Sequence, residues 1–596
     1  MTAGTAPHDD DGFWSAVENG DAATLADRLG VPANTLADLL PALAAWRDRG
    51  RDQSLIDGWR YRITWKPANV AAAAAAAVPA AGAAAASVTT PTANVPVGKA
   101  LTGTWIIADP DRFALTEVLA GLGADVVNVP VHDITAQTVG REIAGILAMP
   151  VSATDALPLV QTVIALGTPA PLWLVTRGAI ATGRSDTADP EAATVWGLGR
   201  VLALEHPDRR GGLLDLPTTA VPQPTTAPEG TATARPGELE APAEGRLGEL
   251  DGRPESTSDG LGAHAEGRSG VLDARAVRGP AGLDARAAGR LAAVLGGELG
   301  DEDQIALRPA GVLVRRLVHA PAPSHVPAGA GVAWQPAGTV LITGGTGGLG
   351  AEVARWAAAH GAQRLVLVSR RGAGAPGVAE LLAELPTAEV HACDLADRSE
   401  VAALLAAVGP VDAVVHAAGV SEDMALVDID AEHLDRVVRG KVDGAIHLDE
   451  LIGDVDAFIV FSSISAVWGS GRQAAYGAAN AALDALVRRR RAAGRPGISI
   501  AWGPWARVGM AADPEAATAL RRQGLVALDP ATAITALALA VGADKGPGGG
   551  DGLVTIADVR WNEFLPLFTA ARPRPLLSDL PEAGVVPIPA PAGGSA

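Results

Sequence analysis

Apolar residues recur at helical spacing in the first fifty positions, where Leu36, Leu39, Leu40, Leu43 and Trp46 form one stripe. Residues 11–48 therefore read as two short helices. So small a pair cannot bury the stripe alone, and it packs either on the neighbouring domain or on another chain. Further on the period changes. Residues 103–109 form a short apolar run suited to a buried strand, 113–122 read as a helix, and 125–129 as a second strand. A strand at 172–176 and a helix near 195–204 continue the alternation, and 311–318 is again a strand. From Gly338 the signal sharpens, with strands expected at 339–343, 364–369, 389–393, 413–416, 457–462, 498–502 and 553–556. Helices lie between them, including 352–360 and a long one from about Tyr476 to Ala493. Strands alternating with helices predict parallel sheets covered on both faces. The expected fold class is α/β: two Rossmann-like doubly wound subdomains behind a short helical element.

Composition sets the boundaries. Residues 217–280 are rich in Pro, Gly, Thr, Ala and Glu without apolar periodicity, and read as a disordered insertion. Residues 68–99 contain a long uncharged stretch. It is mostly alanine, interrupted by Pro79 and Gly82, which favours a flexible linker over a membrane span. The expected order is a helical element at 1–58, a first subdomain at 59–330, a second at 331–570 and an exit linker at 571–596.

Charge and cysteine content narrow the function classes. A formal net charge of −20 argues against a nucleic-acid surface. The single Cys393 excludes an internal disulfide framework and any multi-cysteine metal site, and the eleven His residues show no ligand spacing, so no metal is expected. The first residues lack the basic and apolar runs of a signal peptide, so the expected location is cytoplasmic.

The chemistry concentrates in the second subdomain. Its first strand runs into Gly344-Gly-Thr346-Gly347-Gly348-Leu349-Gly350 and then a helix, the arrangement that lets backbone approach a pyrophosphate at a helix N-terminus. The first subdomain has Ala108-Asp109-Pro110-Asp111 at the equivalent turn and no phosphate cradle. The next strand of the second subdomain ends at Ser369-Arg370-Arg371. Arginine there suits a 2′-phosphate, which favours NADPH over NADH, although a solvated basic turn has the same composition. Asp394, followed by Leu395, is placed either to accept from an adenine amino group or to cap a helix. Ser463 ends the fifth strand, Tyr476 lies thirteen residues later, and Asn480 is one helical turn beyond on the same face.

The spacing Ser463–x12–Tyr476–x3–Asn480, with the TGGTGGLG turn, resembles the short-chain dehydrogenase/reductase superfamily. Most of that superfamily carries Lys four residues after Tyr. Here Asn480 stands there and Lys441 lies upstream, an exchange that resembles the ketoreductase domains of modular type I polyketide synthases. The stretches WRYRITWKP (59–67), VWGLGRVLALEHPDRRGGLLDLP (195–217), HAAGV (416–420), FSSISAVWGS (461–470) and AWGPWARVGMA (501–511) carry the same resemblance. It implies a degenerate, structural first subdomain and an N-terminal dimerisation element, hence a homodimer.

The resemblance further implies reduction of an acyl-carrier-protein-bound β-ketoacyl thioester by NADPH, with other synthase domains as neighbours. Tyr476 would be the proton donor, Lys441 the cation that eases its ionisation, Ser463 the donor to the ketone oxygen, and Asn480 the residue placing Lys441 and a water. His416, Ala417, Ala418, Gly419, Gly503 and Pro504 would border the cofactor. Trp505 to about Gln523 would be a lid, with Met510 over the substrate. Trp468 matches the fingerprint of the A type, which gives the L-alcohol. Gln473 stands where the epimerising subtype has His, which implies A1, while Ser421-Glu422-Asp423 keeps only the last acid of the B-type Leu-Asp-Asp. The rival readings are a silent scaffold domain of a megasynthase, against which all four catalytic positions speak, and a free-standing dehydrogenase for a soluble alcohol or sugar.

Overall fold

The computed structural model describes residues 10–37, 39–68, 70, 101–138, 140–209, 211–218, 283–320, 333–509, 511–545 and 550–584. The expected linker near 68–99 and the insertion at 217–280 fall almost entirely outside the described residues.

Among the described residues the N-terminal element holds four helices where two were expected: Asp10–Glu18, Ala22–Leu29, Ala33–Ala37 and Leu40–Trp59. Local chemistry breaks the run. Gly20 turns the chain at φ 67°, and the Asp21 carboxylate accepts from Thr24 N at 3.0 Å to cap the second helix. Gly30 ends that helix in the left-handed region, and a proline opens the last one. Leu36 and Leu40 pack with Val17 and Leu25 into a small core, while Leu29, Leu39 and Leu55 remain about half exposed.

The strands are β1 (Arg60–Ala68), β2 (Thr104–Asp109), β3 (Asp125–Pro130), β4 (Ile143–Ala148), β5 (Leu172–Arg177), β6 (Gly211–Leu216), β7 (Gln304–Arg308), β8 (Gly311–His319), β9 (Gly338–Thr343), β10 (Ala362–Ser369), β11 (Ala388–Ala392), β12 (Ala413–His416), β13 (Ala457–Ser463), β14 (Ile498–Trp502), β15 (Leu525–Val526), β16 (Leu553–Ile556) and β17 (Asp558–Val559). Fifteen of them form one sheet, in the order β11-β10-β9-β12-β13-β14-β16-β1-β8-β7-β6-β5-β4-β2-β3. Each half is a mainly parallel, doubly wound sheet with helices on both faces. The two halves are joined by β1, which pairs antiparallel with β16 on one side and with β8 on the other. Tyr61 on β1 is 1% exposed and its hydroxyl accepts from Trp561 Nε1 at 3.1 Å.

In the second half the chain winds outward from β9 through β10 to β11, then returns to β12 on the other flank of β9. That reversal opens a crevice at the carboxyl ends of β9 and β12, where ligands bind in this architecture. The first half reverses in the same way, with one outer strand fewer, but fills the equivalent helix N-terminus itself. The Asp111 carboxylate accepts from Leu115 N and Thr116 N, each at 2.8 Å, so a phosphate would meet a negative charge there.

The halves also meet through two helices, Pro190–Glu205 and Ala474–Ala492, which cross backbone to backbone. A Cβ added at Gly197 would lie 2.2 Å from the Gly477 carbonyl oxygen. The first residues of the exit linker expected at 571–596 are packed, and 585–596 lie outside the described residues. Leu576, Leu577 and Leu580 are at most 4% exposed and pack with Trp561 and Phe564, because this proline-rich stretch alternates with leucines that close the core over β1.

Candidate active site

Three elements bring the expected residues together. β13 ends at Ser463, helix Ala474–Ala492 carries Tyr476 and Asn480 one turn apart, and helix Ala431–Leu451 carries Lys441. Lys441 is 3% exposed; its Nζ lies 5.5 Å from the centre of the Tyr476 ring and 3.4 Å from the Ala418 carbonyl oxygen. Burial lowers the Lys441 ammonium to about 8, while the Asp484 carboxylate acts in the opposite direction. Burial raises the Tyr476 phenol, and hydrogen bonding to Asn480 and Ser463 pulls it back. Asn480 is fully buried. Its Nδ2 donates to the Tyr476 carbonyl at 2.8 Å, and its Oδ1 has no partner among the described residues. Ser463 Oγ accepts from Ser465 N at 3.2 Å, which leaves its proton free to point elsewhere.

Two neighbours were not foreseen in these roles. His416, expected beside the cofactor, is fully buried with both ring nitrogens engaged. Nε2 faces the Lys441 carbonyl at 2.8 Å and must donate, because a carbonyl only accepts; Nδ1 then accepts from Thr343 Oγ1 at 2.9 Å. Burial, followed by the Lys441 charge, lowers its pKa to about 3, so the ring is neutral. Its side chain thus ties the Lys441 helix to β9 and β12 and offers the cofactor nothing. Asp484 lies one turn past Asn480 and takes a hydrogen bond from Ser499 Oγ at 2.6 Å. It also lines a cavity of ≈ 510 Å³ shared with Arg200 and Arg315, which excludes Ser463 and Tyr476. The spacing Tyr476–x3–Asn480–x3–Asp484 was the available signal for it.

The residues of the cofactor crevice fit a dinucleotide. Gly344 turns at φ 66°, and a Cβ on Gly350 would stand 2.3 Å from the Gly344 carbonyl, so helix Gly348–Ala359 starts against bare backbone. Thr346, Gly347, Gly348 and Leu349 form the partly exposed lip of this turn. Ser369 ends β10 with a buried Oγ that has no partner among the described residues, and Arg370 and Arg371 beside it are exposed. Asp394 is exposed and accepts from Ala396 N at 3.1 Å; the helix cap is Asp397, three residues on. Leu395 is buried beneath the loop, and Ala417, Ala418 and Gly419 border the crevice after β12. Gly503 and Pro504 follow β14, with Gly503 N donating to Ile556 O at 2.8 Å.

Comparison with known proteins agrees with this geometry. Residues 338–507 match the KR domain model, 10–52 the polyketide synthase dimerisation element domain, and 63–243 the Rossmann fold domain of the polyketide synthase extender module SpnB. A solved structure of A-type ketoreductases from a modular polyketide synthase is 36% identical with TM-score 0.68, over 89% of this chain and 99% of that one. This chain belongs to the ketoreductases of modular polyketide synthases. A solved A1-type ketoreductase is 35% identical with TM-score 0.67, over 89% of this chain and 99% of that one. Polyketide synthase GfsA of Streptomyces halstedii is 40% identical over 96% of this chain, which spans 7% of that relative's length.

On the substrate side of the ketoreductase, two aromatic residues are buried. Trp505, where the expected lid begins, is 3% exposed, with its ring 5.0 Å from Trp502 and 6.1 Å from Phe461 in an aromatic core. Trp468, the A-type fingerprint position, is also 3% exposed and packs on Trp561 and Phe564, which anchors its loop from within. Both are large apolar rings beside an apolar interior, and burial decides their place. Met510 lies outside the described residues. The loop before it rests on the glycine turn, where a Cβ on Gly348 would come 3.0 Å from Val508 Cβ. Gln473 stands at the start of the Tyr476 helix and donates from Nε2 to Asp423 Oδ1 at 3.1 Å, so the two stereochemical fingerprint positions touch. Among the described residues no group of His, Cys, Asp or Glu is placed to hold a metal, and no helix is long and apolar enough to cross a membrane.

Proposed function

We propose that this ketoreductase reduces an acyl-carrier-protein-bound β-ketoacyl thioester to the β-hydroxyacyl thioester, with A1 stereochemistry, as one part of a longer synthase that dimerises through the N-terminal helices. The observation that carries the reading is the placement of Lys441, Ser463 and Asn480 around the Tyr476 side chain. NADPH, when bound in the crevice, supplies the hydride to the β-carbon. Gly344, Gly348 and Gly350 give the pyrophosphate close backbone, and Ser369, Arg370 and Arg371 give a 2′-phosphate its donors.

The protein's own groups manage the proton. Ser463 Oγ donates a hydrogen bond to the ketone oxygen and draws negative charge onto it. Tyr476 gives its phenolic proton to that oxygen as the alkoxide forms. A buried tyrosine resists ionisation, and the Lys441 ammonium offsets that resistance by stabilising the transient phenolate. Asn480 Oδ1 accepts from a water or from Lys441, keeping the ammonium directed at the ring. The A1 outcome is supported by Gln473 in place of His and by its hydrogen bond to Asp423, the remaining acid of the loop after β12.

The test is NADPH consumption with a 2-methyl-3-ketopentanoyl thioester. Tyr476→Phe should lower kcat by about 10²–10⁴-fold. A mutant as active as wild type would remove Tyr476 from the mechanism, and chiral chromatography showing a dominant D-alcohol would overturn the stereochemical assignment.

A further inference from the structure

Glutamate is an unfavourable residue for the last position of a helix, because the carbonyl ends there already carry partial negative charge. Glu205 nevertheless ends helix Pro190–Glu205, in the half that has no phosphate cradle. Among the described residues it makes no ion pair. Both carboxylate oxygens accept from backbone amides of the other half: Oε2 from Leu426 N at 2.8 Å and Oε1 from Arg472 N at 2.6 Å.

Those amides belong to two separate loops, one after β12 and one between β13 and the Tyr476 helix. Each loop bears a residue that bears on product configuration, Asp423 in the first and Gln473 in the second. The loops also bond directly, through Met424 N to Arg472 O at 2.8 Å and Gln473 Nε2 to Asp423 Oδ1 at 3.1 Å. Arg472 holds φ 65°, a left-handed conformation that side chains other than glycine and asparagine seldom adopt. Hydrogen bonds to its own N–H and carbonyl, on either side of its Cα, hold it there. Gln161, also in the first half, adds a second tie to the same region by donating to Leu426 O at 3.1 Å and Ile429 O at 2.7 Å.

We propose that Glu205 is a positioning residue that fixes the two loops against each other, and so sets the stereochemical outcome of a reduction it does not touch. The stereochemical half of this inference rests on the function proposed above. A carboxylate suits the task because it alone presents two acceptors in a fixed fork to two N–H donors. Glu205→Gln keeps one acceptor and turns an amide NH₂ toward the other donor; Glu205→Ala removes both.

The experiment has two arms, on the full chain. In the first, wild type, Glu205→Gln and Glu205→Ala reduce a racemic 2-methyl-3-ketopentanoyl thioester, and the diastereomer ratio is read with kcat and NADPH affinity. The ratio should fall by about tenfold in Glu205→Ala and by less in Glu205→Gln, with NADPH affinity unchanged. A wild-type ratio in either folded, active variant would overturn the stereochemical role. In the second arm, amide hydrogen exchange is followed by mass spectrometry. Peptides covering 421–429 and 470–473 should exchange faster in Glu205→Gln while the rest of the sheet is unchanged; equal exchange in both peptides would overturn the positioning role. If the wild type reduces nothing, the proposed function fails, and the exchange arm still decides whether Glu205 holds the loops.

Discussion

Gly197 allows the sharpest test of how the first half serves the second. Alanine there would place Cβ 2.2 Å from Gly477 O, 2.4 Å from Gly477 C and 2.5 Å from Ala478 Cα. These atoms are backbone on a long buried helix and cannot rotate away. Restoring ordinary contact moves the helices apart by about 1 Å, since a carbon requires roughly 3.5 Å from its non-bonded neighbours. Tyr476 precedes Gly477 and would move with it, whereas Ser463 on β13 and Lys441 on its own helix would not follow. A displacement of about 1 Å at a reacting group costs on the order of 10²-fold in rate. Overpacking a core typically costs about 1–3 kcal/mol of stability, which leaves most of the chain folded. We therefore expect Gly197→Ala to bind NADPH normally, to keep its KM for the thioester, and to lose about 10²-fold in kcat. Gly289→Ala is the control: it is also inside a helix of the first half, but nothing lies within 4 Å of its added Cβ. Steady-state NADPH oxidation, with intrinsic fluorescence to verify the fold, provides the readout. A Gly197→Ala enzyme within twofold of wild-type kcat would refute the claim that this crossing sets the position of Tyr476.

The remaining predictions concern protons and the cofactor. Lys441 with a pKa of about 8 is charged at neutral pH, so reduction should decline as pH rises through about 8; a rate that holds steady to pH 10 would contradict that. Because its folded pKa lies below its unfolded one, burying the charged lysine destabilises the fold below pH 8, and the penalty disappears between about pH 8 and 10.5. Lys441→Met should accordingly raise the melting temperature at pH 7 while abolishing turnover. His416 stays neutral to about pH 3 in the fold but takes up a proton near 6.5 when unfolded. Stability should thus be lost as pH falls from about 6.5 toward 3, by on the order of 5 kcal/mol in the limit, and His416→Asn should flatten that slope in pH-dependent denaturation. Replacing Arg370 and Arg371 by Ser should weaken NADPH binding and leave NADH binding little changed in fluorescence titrations; equal loss for both cofactors would point to a general effect on the crevice.

The parts legible in the sequence were local. The glycine turn is a contiguous strand–turn–helix pattern, and Ser463, Tyr476 and Asn480 are joined by the register of one strand end and one helix. Lys441 needed the family resemblance, since nothing in its own neighbourhood distinguishes it from an ordinary helical lysine. The roles of Glu205 and His416 depend on contacts across long stretches of chain, to which no periodicity points, whereas Asp484 stood one helical turn past Asn480 and was open to the same reading as that residue. Trp468 and Trp505 were singled out by motif position, which carries no record of depth; the structure shows both buried. The stretch after 570 was read as a linker for a related reason: prolines advertise irregular backbone, and irregular backbone can still bring Leu576, Leu577 and Leu580 into the core.

Strand β1 has a consequence for anyone who would recombine such proteins. It arrives directly from helix Leu40–Trp59, yet it lies in the middle of the sheet, between strands that come roughly 250 and 500 residues later. A transplant that begins at Gly338 would carry a cofactor crevice but leave β16 with an open flank, and bare strand flanks recruit other chains. The piece that can be exchanged intact therefore runs from the last helix before β1 to Leu580, with the half that lacks the glycine turn included.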